Sequence, residues 1–190
     1  MIKITIQHGG LLEPFLNFYV QNSPDVKGSG WKEWVPPNKE KLDERIEAYK
    51  NIWAKYEEKI LNKICSALDL SFKENINVYI VAGINRSMSN PMIISSHHSP
   101  NEFIITLAHE LSHQIFKGED FKFSKILLNK TDNKKINNHI LVFAVLRKVF
   151  EDEPEILQTM INTKYSEDYK KAFEASENFE EILKFFRENK

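Results

Sequence analysis

Cysteine is nearly absent from this sequence. The single thiol, Cys65, cannot close an internal disulfide and has no second thiol to share a metal with, which excludes a disulfide scaffold and suits a reducing compartment. It lies on a helical pattern and reads as a half-buried packing residue. Long apolar runs are missing too. No window approaches the roughly 20 apolar residues that span a bilayer, and the N-terminal MIKITIQHGGLLEP alternates like a strand where a signal peptide would carry an apolar stretch. The expectation is a cytoplasmic protein without a membrane partner. Excess charge of either sign is also lacking: 26 basic against 27 acidic residues leave a net charge of -1, so no bulk attraction to nucleic acid or anionic lipid arises, and no nucleic-acid partner is expected. The lysines at 117, 122, 125, 130, 134 and 135 are interleaved with Glu119, Asp120 and Asp132 and read as a solvated loop. Internal repeats and low-complexity tracts are not found.

Core-forming material is plentiful. Hydrophobic residues make up 42%, aromatic 12% and charged 28% of 190 residues, the balance of a soluble globular chain with one real core. We expect one α+β domain over 1–190. Ile2, Ile4 and Ile6 alternate with polar residues as a short strand does, ended by Gly9-Gly10. QNSPDVKGSGWKEWVPPN at 21–38 reads as a long surface loop anchored by Trp31 and Trp34. From Lys39 to Leu68, the residues Leu42, Ile46, Tyr49, Trp53, Tyr56, Ile60, Ile64 and Ala67 recur every three or four positions, the stripe of a long amphipathic helix that would back a sheet. INVYIVAGI at 76–84 and PMIISS at 91–96 are the next strands, separated by a turn. Ser99 as N-cap, Pro100 at the first helical position and Glu102 three residues beyond the cap form a capping box, so a helix starts near Pro100; Gly118 is its C-terminal stop. INNHILVFAVLRKVF at 136–150 is a strongly apolar helix, and two or three further amphipathic helices follow Pro154.

The helix beginning at Pro100 contains FIITLAHELSHQIFKG, residues 103–118. His109 and His113 are four apart and therefore share a helix face, with Cβ atoms about 6 Å apart, close enough for both imidazoles to reach one ion at about 2.0–2.1 Å. Glu110 is turned about 100° from His109, near such an ion without pointing at it. Zinc lowers the pKa of a bound water from about 15.7 towards roughly 7, and a neighbouring carboxylate can take the proton and pass it to a leaving amine. Six histidines leave room for coincidence. The mid-helix position, the helix's own caps and the strand before it weigh against that reading.

The motif resembles that of the zincin metallopeptidases, whose His-Glu-x-x-His signature is matched by His109, Glu110 and His113. The resemblance covers about 76–150. It implies a zincin-like fold: a small twisted sheet with the long helix behind it, an active-site helix, a core at about 76–150 and a helical C-terminal lobe at about 151–190. It also implies one Zn2+ per chain, Glu110 as general base, and an edge strand, here Met92, Ile93, Ile94, Ser95 and Ser96, that pairs with an extended peptide or protein substrate. For the third ligand, His139 stands where the chain resembles gluzincin-like peptidases, including small repressor-cleaving ones with a glutamate four residues before a Phe-Ala pair; here a histidine precedes Phe143-Ala144. Zinc takes imidazole and carboxylate alike. Glu119 is the alternative, six residues after His113 as in the metzincin pattern, although Phe116 occupies the place of that pattern's glycine. Glu151 and Glu153 read as exposed charges at a helix end. An oxyanion helper could come from Tyr165, or from His97 or His98, by position alone. Nothing joins His8 to the site. The function this implies is zinc-dependent peptide hydrolysis; a zinc amidohydrolase acting on a small substrate and a non-catalytic binding or regulatory module of the same fold are the rival expectations.

Overall fold

The computed structural model describes residues 2–22, 38–82, 84, 87–116, 134–163 and 165–190. The chain is α+β and packs as two compact units, one of residues 1–55 and 73–110 and the other of residues 56–72 and 111–190.

The first unit is built on a four-stranded sheet in the order β1-β2-β4-β3. β1 (Ile4–His8) runs parallel to β2 (Ile76–Val81), with Ile4 opposite Ile76 and His8 opposite Ile80. β2 runs parallel to β4 (Met92–Ser95), and β4 pairs antiparallel with the two-residue β3 (Met88–Ser89). Since side chains alternate along a strand, this register places Ile4, Ile6, Ile76, Val78, Ile80, Met92 and Ile94 on one face, all of them buried. The opposite face carries Val81 and Ile93, which cluster with Ile84, Tyr79, Leu12 and Leu16. Gly9 follows β1 where the side chain of Val81 leaves no room for a Cβ. A Cβ at this position would lie 2.6 Å from Val81 Cγ1, while the Gly9 amide donates to the Ile80 carbonyl at 2.8 Å.

The expectation of an open edge strand at 92–96 is corrected. β4 lies inside the sheet: β2 flanks it on one side, and on the other β3 pairs with Met92 and Ile93. The turn read between two strands contains a short strand of its own, and Met92 to Ser96 are buried.

α1 (Glu13–Asn22) was not expected from the sequence. Leu12 and Leu16 pack on the sheet, while Leu11, Phe15 and Phe18 face solvent. Its first residue, Glu13, accepts hydrogen bonds from the Ala82 amide at 2.8 Å and from His8 Nε2 at 3.1 Å, which ties the helix start to the ends of β1 and β2. The loop and tryptophans expected at 23–37 lie outside the described residues.

α2 (Lys39–Leu68) has the expected bounds, and its stripe is buried at Leu42, Ile46, Tyr49, Trp53, Ile60, Ile64 and Ala67. In the first unit it holds the start of α3 (Pro100–Ile115). Arg45 donates to the Ser96 carbonyl at 2.7 Å, the Tyr49 hydroxyl donates to the His98 carbonyl at 2.6 Å, and the Tyr49 ring stacks on Phe103 with centroids 4.1 Å apart.

The second unit is helical and centred on α4 (Lys134–Val149), in which Ile136 and Ile140 to Leu146 are all buried. An apolar circumference of this kind marks a helix surrounded by others. α5 (Pro154–Asn162), α6 (Glu167–Ala175) and α7 (Phe179–Asn189) follow. Lys59 and Lys63 of α2 meet the acidic run after α4: Lys59 pairs with Asp152 at 3.1 Å and with Glu153, and Lys63 with Asp152 at 2.7 Å and Glu151 at 3.4 Å. Glu151 and Glu153 are thus held in ion pairs. Cys65 is half-buried, and burial pushes its thiol pKa up. Among the described residues no helix is long and apolar enough to cross a membrane.

Candidate metal centre

The helix that carries the His-Glu-x-x-His motif starts as its sequence dictates. The Ser99 amide donates to Glu102 Oε2 at 2.7 Å and the Glu102 amide donates to Ser99 Oγ at 3.3 Å, a reciprocal capping box that fixes Pro100 as the first helical residue. From there α3 runs unbroken to Ile115, so His109 and His113 fall one turn apart on one face. Phe103, Leu107, Ala108 and Leu111 are fully buried and hold the rest of the helix. The stop expected at Gly118 lies outside the described residues.

The third histidine comes from α4. His139 sits in the second turn of that helix, which begins at Lys134, two residues before the start read from the sequence. Its ring lies 5.0 Å from that of His113, edge to face. One ligand nitrogen from each of His109, His113 and His139 falls within 4.8 Å of the others, and all three residues are half-buried. Three imidazoles at this spacing are close enough to bind one metal ion. The donor set suits zinc, copper, iron or nickel, and three protein ligands leave a position open in a tetrahedral shell.

The electrostatics favour the protonation states such a site requires. Burial, together with the neighbouring His139, lowers the pKa of His113 to about 4, which keeps its imidazole neutral and its lone pair available. Glu110, only 7% exposed, has its pKa raised by burial to about 7. A carboxyl group titrating near neutrality can both take and return a proton there.

Where the structure describes them, the other residues singled out in the sequence have neighbours of their own. Glu119 lies outside the described residues. His97 Nδ1 is 2.6 Å from Ser95 Oγ, whose hydroxyl donates to the Ile84 carbonyl at 2.6 Å, and its ring packs on His98; burial lowers the pKa of both, that of His98 to about 4. Both belong to the β4–α3 connection. Tyr165 packs its ring on Phe143 and Phe173, and burial pushes its hydroxyl up to about 12. The tyrosine whose ring lies against His139 is Tyr169, with centroids 4.3 Å apart. It was not singled out in the sequence, although Tyr169 and Phe173, four apart, mark an aromatic face of α6.

Comparison of the chain with protein-family models, with curated proteins and with solved structures finds no match.

Proposed function

We propose that this chain is a zinc-dependent peptidase of the zincin type. The observation that carries the reading is the convergence of His109, His113 and His139, from two helices, to within 4.8 Å, with the buried Glu110 beside the first of them. His109, His113 and His139 would hold the zinc. Bound there, zinc supplies a Lewis acid that acidifies water and takes up charge from an attacked carbonyl oxygen.

Glu110 is the group of this chain that moves protons. As a carboxylate it accepts one from the attacking water; once the new carbon–oxygen bond has formed, it delivers that proton to the amide nitrogen as the carbon–nitrogen bond breaks. Its raised pKa suits both halves of the task. His113, held neutral by burial, stays a ligand throughout and takes no proton.

The test is Glu110→Gln. The amide keeps the shape of the side chain and leaves the three histidines untouched, so metal content should remain at one zinc per chain. Hydrolysis of an unstructured protein substrate should fall by at least about 10²-fold, because the amide accepts no proton. A variant that retains full activity, or a parent protein that takes up no zinc on dialysis, overturns the reading.

A further inference from the structure

The half-buried His139 imidazole is one end of a ladder of contacts between α4 and α6. His139, Phe143 and Arg147 are spaced four apart and lie on one face of α4. On α6, Tyr169 and Phe173 share the same spacing, with Ser176 just past the helix end. The rungs join in order. His139 meets Tyr169 at 4.3 Å between ring centroids, and Phe143 meets Tyr169 at 6.1 Å and Phe173 at 5.4 Å, both edge to face. Arg147 lies over the Phe173 ring at 4.1 Å, and it donates from Nε to Ser176 Oγ at 3.0 Å and from Nη2 to the Phe173 carbonyl at 3.2 Å. Partner numbers rise together, so the two helices run parallel along this seam. Its far end is fastened by the Arg147 guanidinium, whose planar fork holds two hydrogen bonds and a ring face at once.

The near end bears on the metal centre. A histidine side chain has three staggered wells about χ1 and a broad, roughly two-fold χ2, and only a narrow part of that range brings a ring nitrogen to a common point with those of His109 and His113. Phe143 and Ile140 are fully buried, so close packing fixes their rotamers; His139 is half-buried, so packing constrains its ring less completely. Its fellow ligand His113 lies edge to face with it at 5.0 Å, and the ring of Tyr169 lies nearer, at 4.3 Å.

We propose that Tyr169 is a positioning residue of the metal centre: by packing on the His139 imidazole it holds the third ligand in the rotamer that completes the site. The inference rests on the metal-binding reading of the three histidines and deepens it. Tyr169 acts through His139, as groups around a metal's ligands commonly do in setting ligand orientation.

The experiment titrates the full chain with Co2+ and follows the visible ligand-field bands, which report both affinity and coordination geometry. Tyr169→Met keeps a comparable volume and loses the flat ring; it should weaken Co2+ binding about 10–100-fold and alter the bands. Tyr169→Phe retains the ring and should bind and absorb like the parent. A Met variant with unchanged affinity and spectrum overturns the proposal, and so does a Phe variant that loses as much as the Met variant, since the hydroxyl would then be the active part. His139→Ala separates this from the reading beneath it: if that variant binds Co2+ as the parent does, His139 is no ligand and the metal site itself is wrong. If Tyr169→Met does not fold, NMR of the metal-free parent decides. A single His139 side-chain rotamer with ring-current-shifted imidazole protons supports the proposal, and rotamer-averaged couplings without that shift overturn it.

Discussion

Tyr49 concentrates two different interactions in one side chain of α2. Its hydroxyl donates to the His98 carbonyl and its ring stacks on Phe103, and burial pushes its pKa well above the usual phenol value, so the hydroxyl remains a donor across the accessible pH range. Tyr49→Phe should keep the stack and leave the His98 carbonyl without this donor, a loss of about 1 kcal/mol visible as a lower denaturation midpoint at unchanged slope. Single residues also show what a sequence can and cannot disclose about the site. His109, Glu110 and His113 were legible because one helix sets their mutual positions, and helix geometry is known in advance. His139 lies 26 residues beyond His113, and only a family resemblance pointed to it. Tyr169 was missed because what distinguishes it is a neighbour, the His139 ring, that belongs to a different helix.

Elements were legible where burial follows period. α2 and the start of α3 have the bounds their stripe and capping box dictate. The capping box makes a test at this scale. Ser99→Ala removes the oxygen that accepts from the Glu102 amide, while Glu102 can still accept from the residue 99 amide, so the cost should sit near 1 kcal/mol, measured by chemical denaturation. α1 escaped because its pattern runs the other way: Leu11, Phe15 and Phe18, at helical spacing, point to solvent, so apolar periodicity there does not mark a buried face. β3 escaped because two residues beside a turn carry no period at all, and that omission made β4 look like an edge. A strand's neighbours are a property of the sheet, and a sequence segment read alone does not contain them.

At the scale of the whole molecule, the charge cluster formed by Lys59, Lys63, Lys148, Glu151, Asp152, Glu153 and Glu180 gives stability a pH dependence with a definite sign. Lys63 and Lys59 hold the Asp152 carboxyl down to about 2, below an unfolded value of about 3.9. A depressed carboxyl contributes stability that is present above its unfolded value and is lost as pH falls through about 2. Glu153 and Asp152 in turn raise Lys59, whose contribution is present below the usual lysine value and is lost as pH rises past its folded one. Asp152→Asn should therefore lower stability above about pH 4 by the small amount expected of an exposed pair, and flatten the acid limb between about pH 4 and pH 2, so that variant and parent converge near pH 2; denaturation midpoints at stepped pH measure it. The sheet has a consequence of another kind, for the order of events at the ribosome. Ile4 of β1 pairs with Ile76 of β2, 72 residues further along the chain, and the two strands are parallel neighbours, so β1 is made long before anything it can pair with. At translation rates of about 5–20 residues per second the gap is roughly 4–14 s. For that interval a strand with two buried-type isoleucines and unpaired backbone groups is presented to the cell, which makes β1 the strand of this sheet that waits longest for its partner.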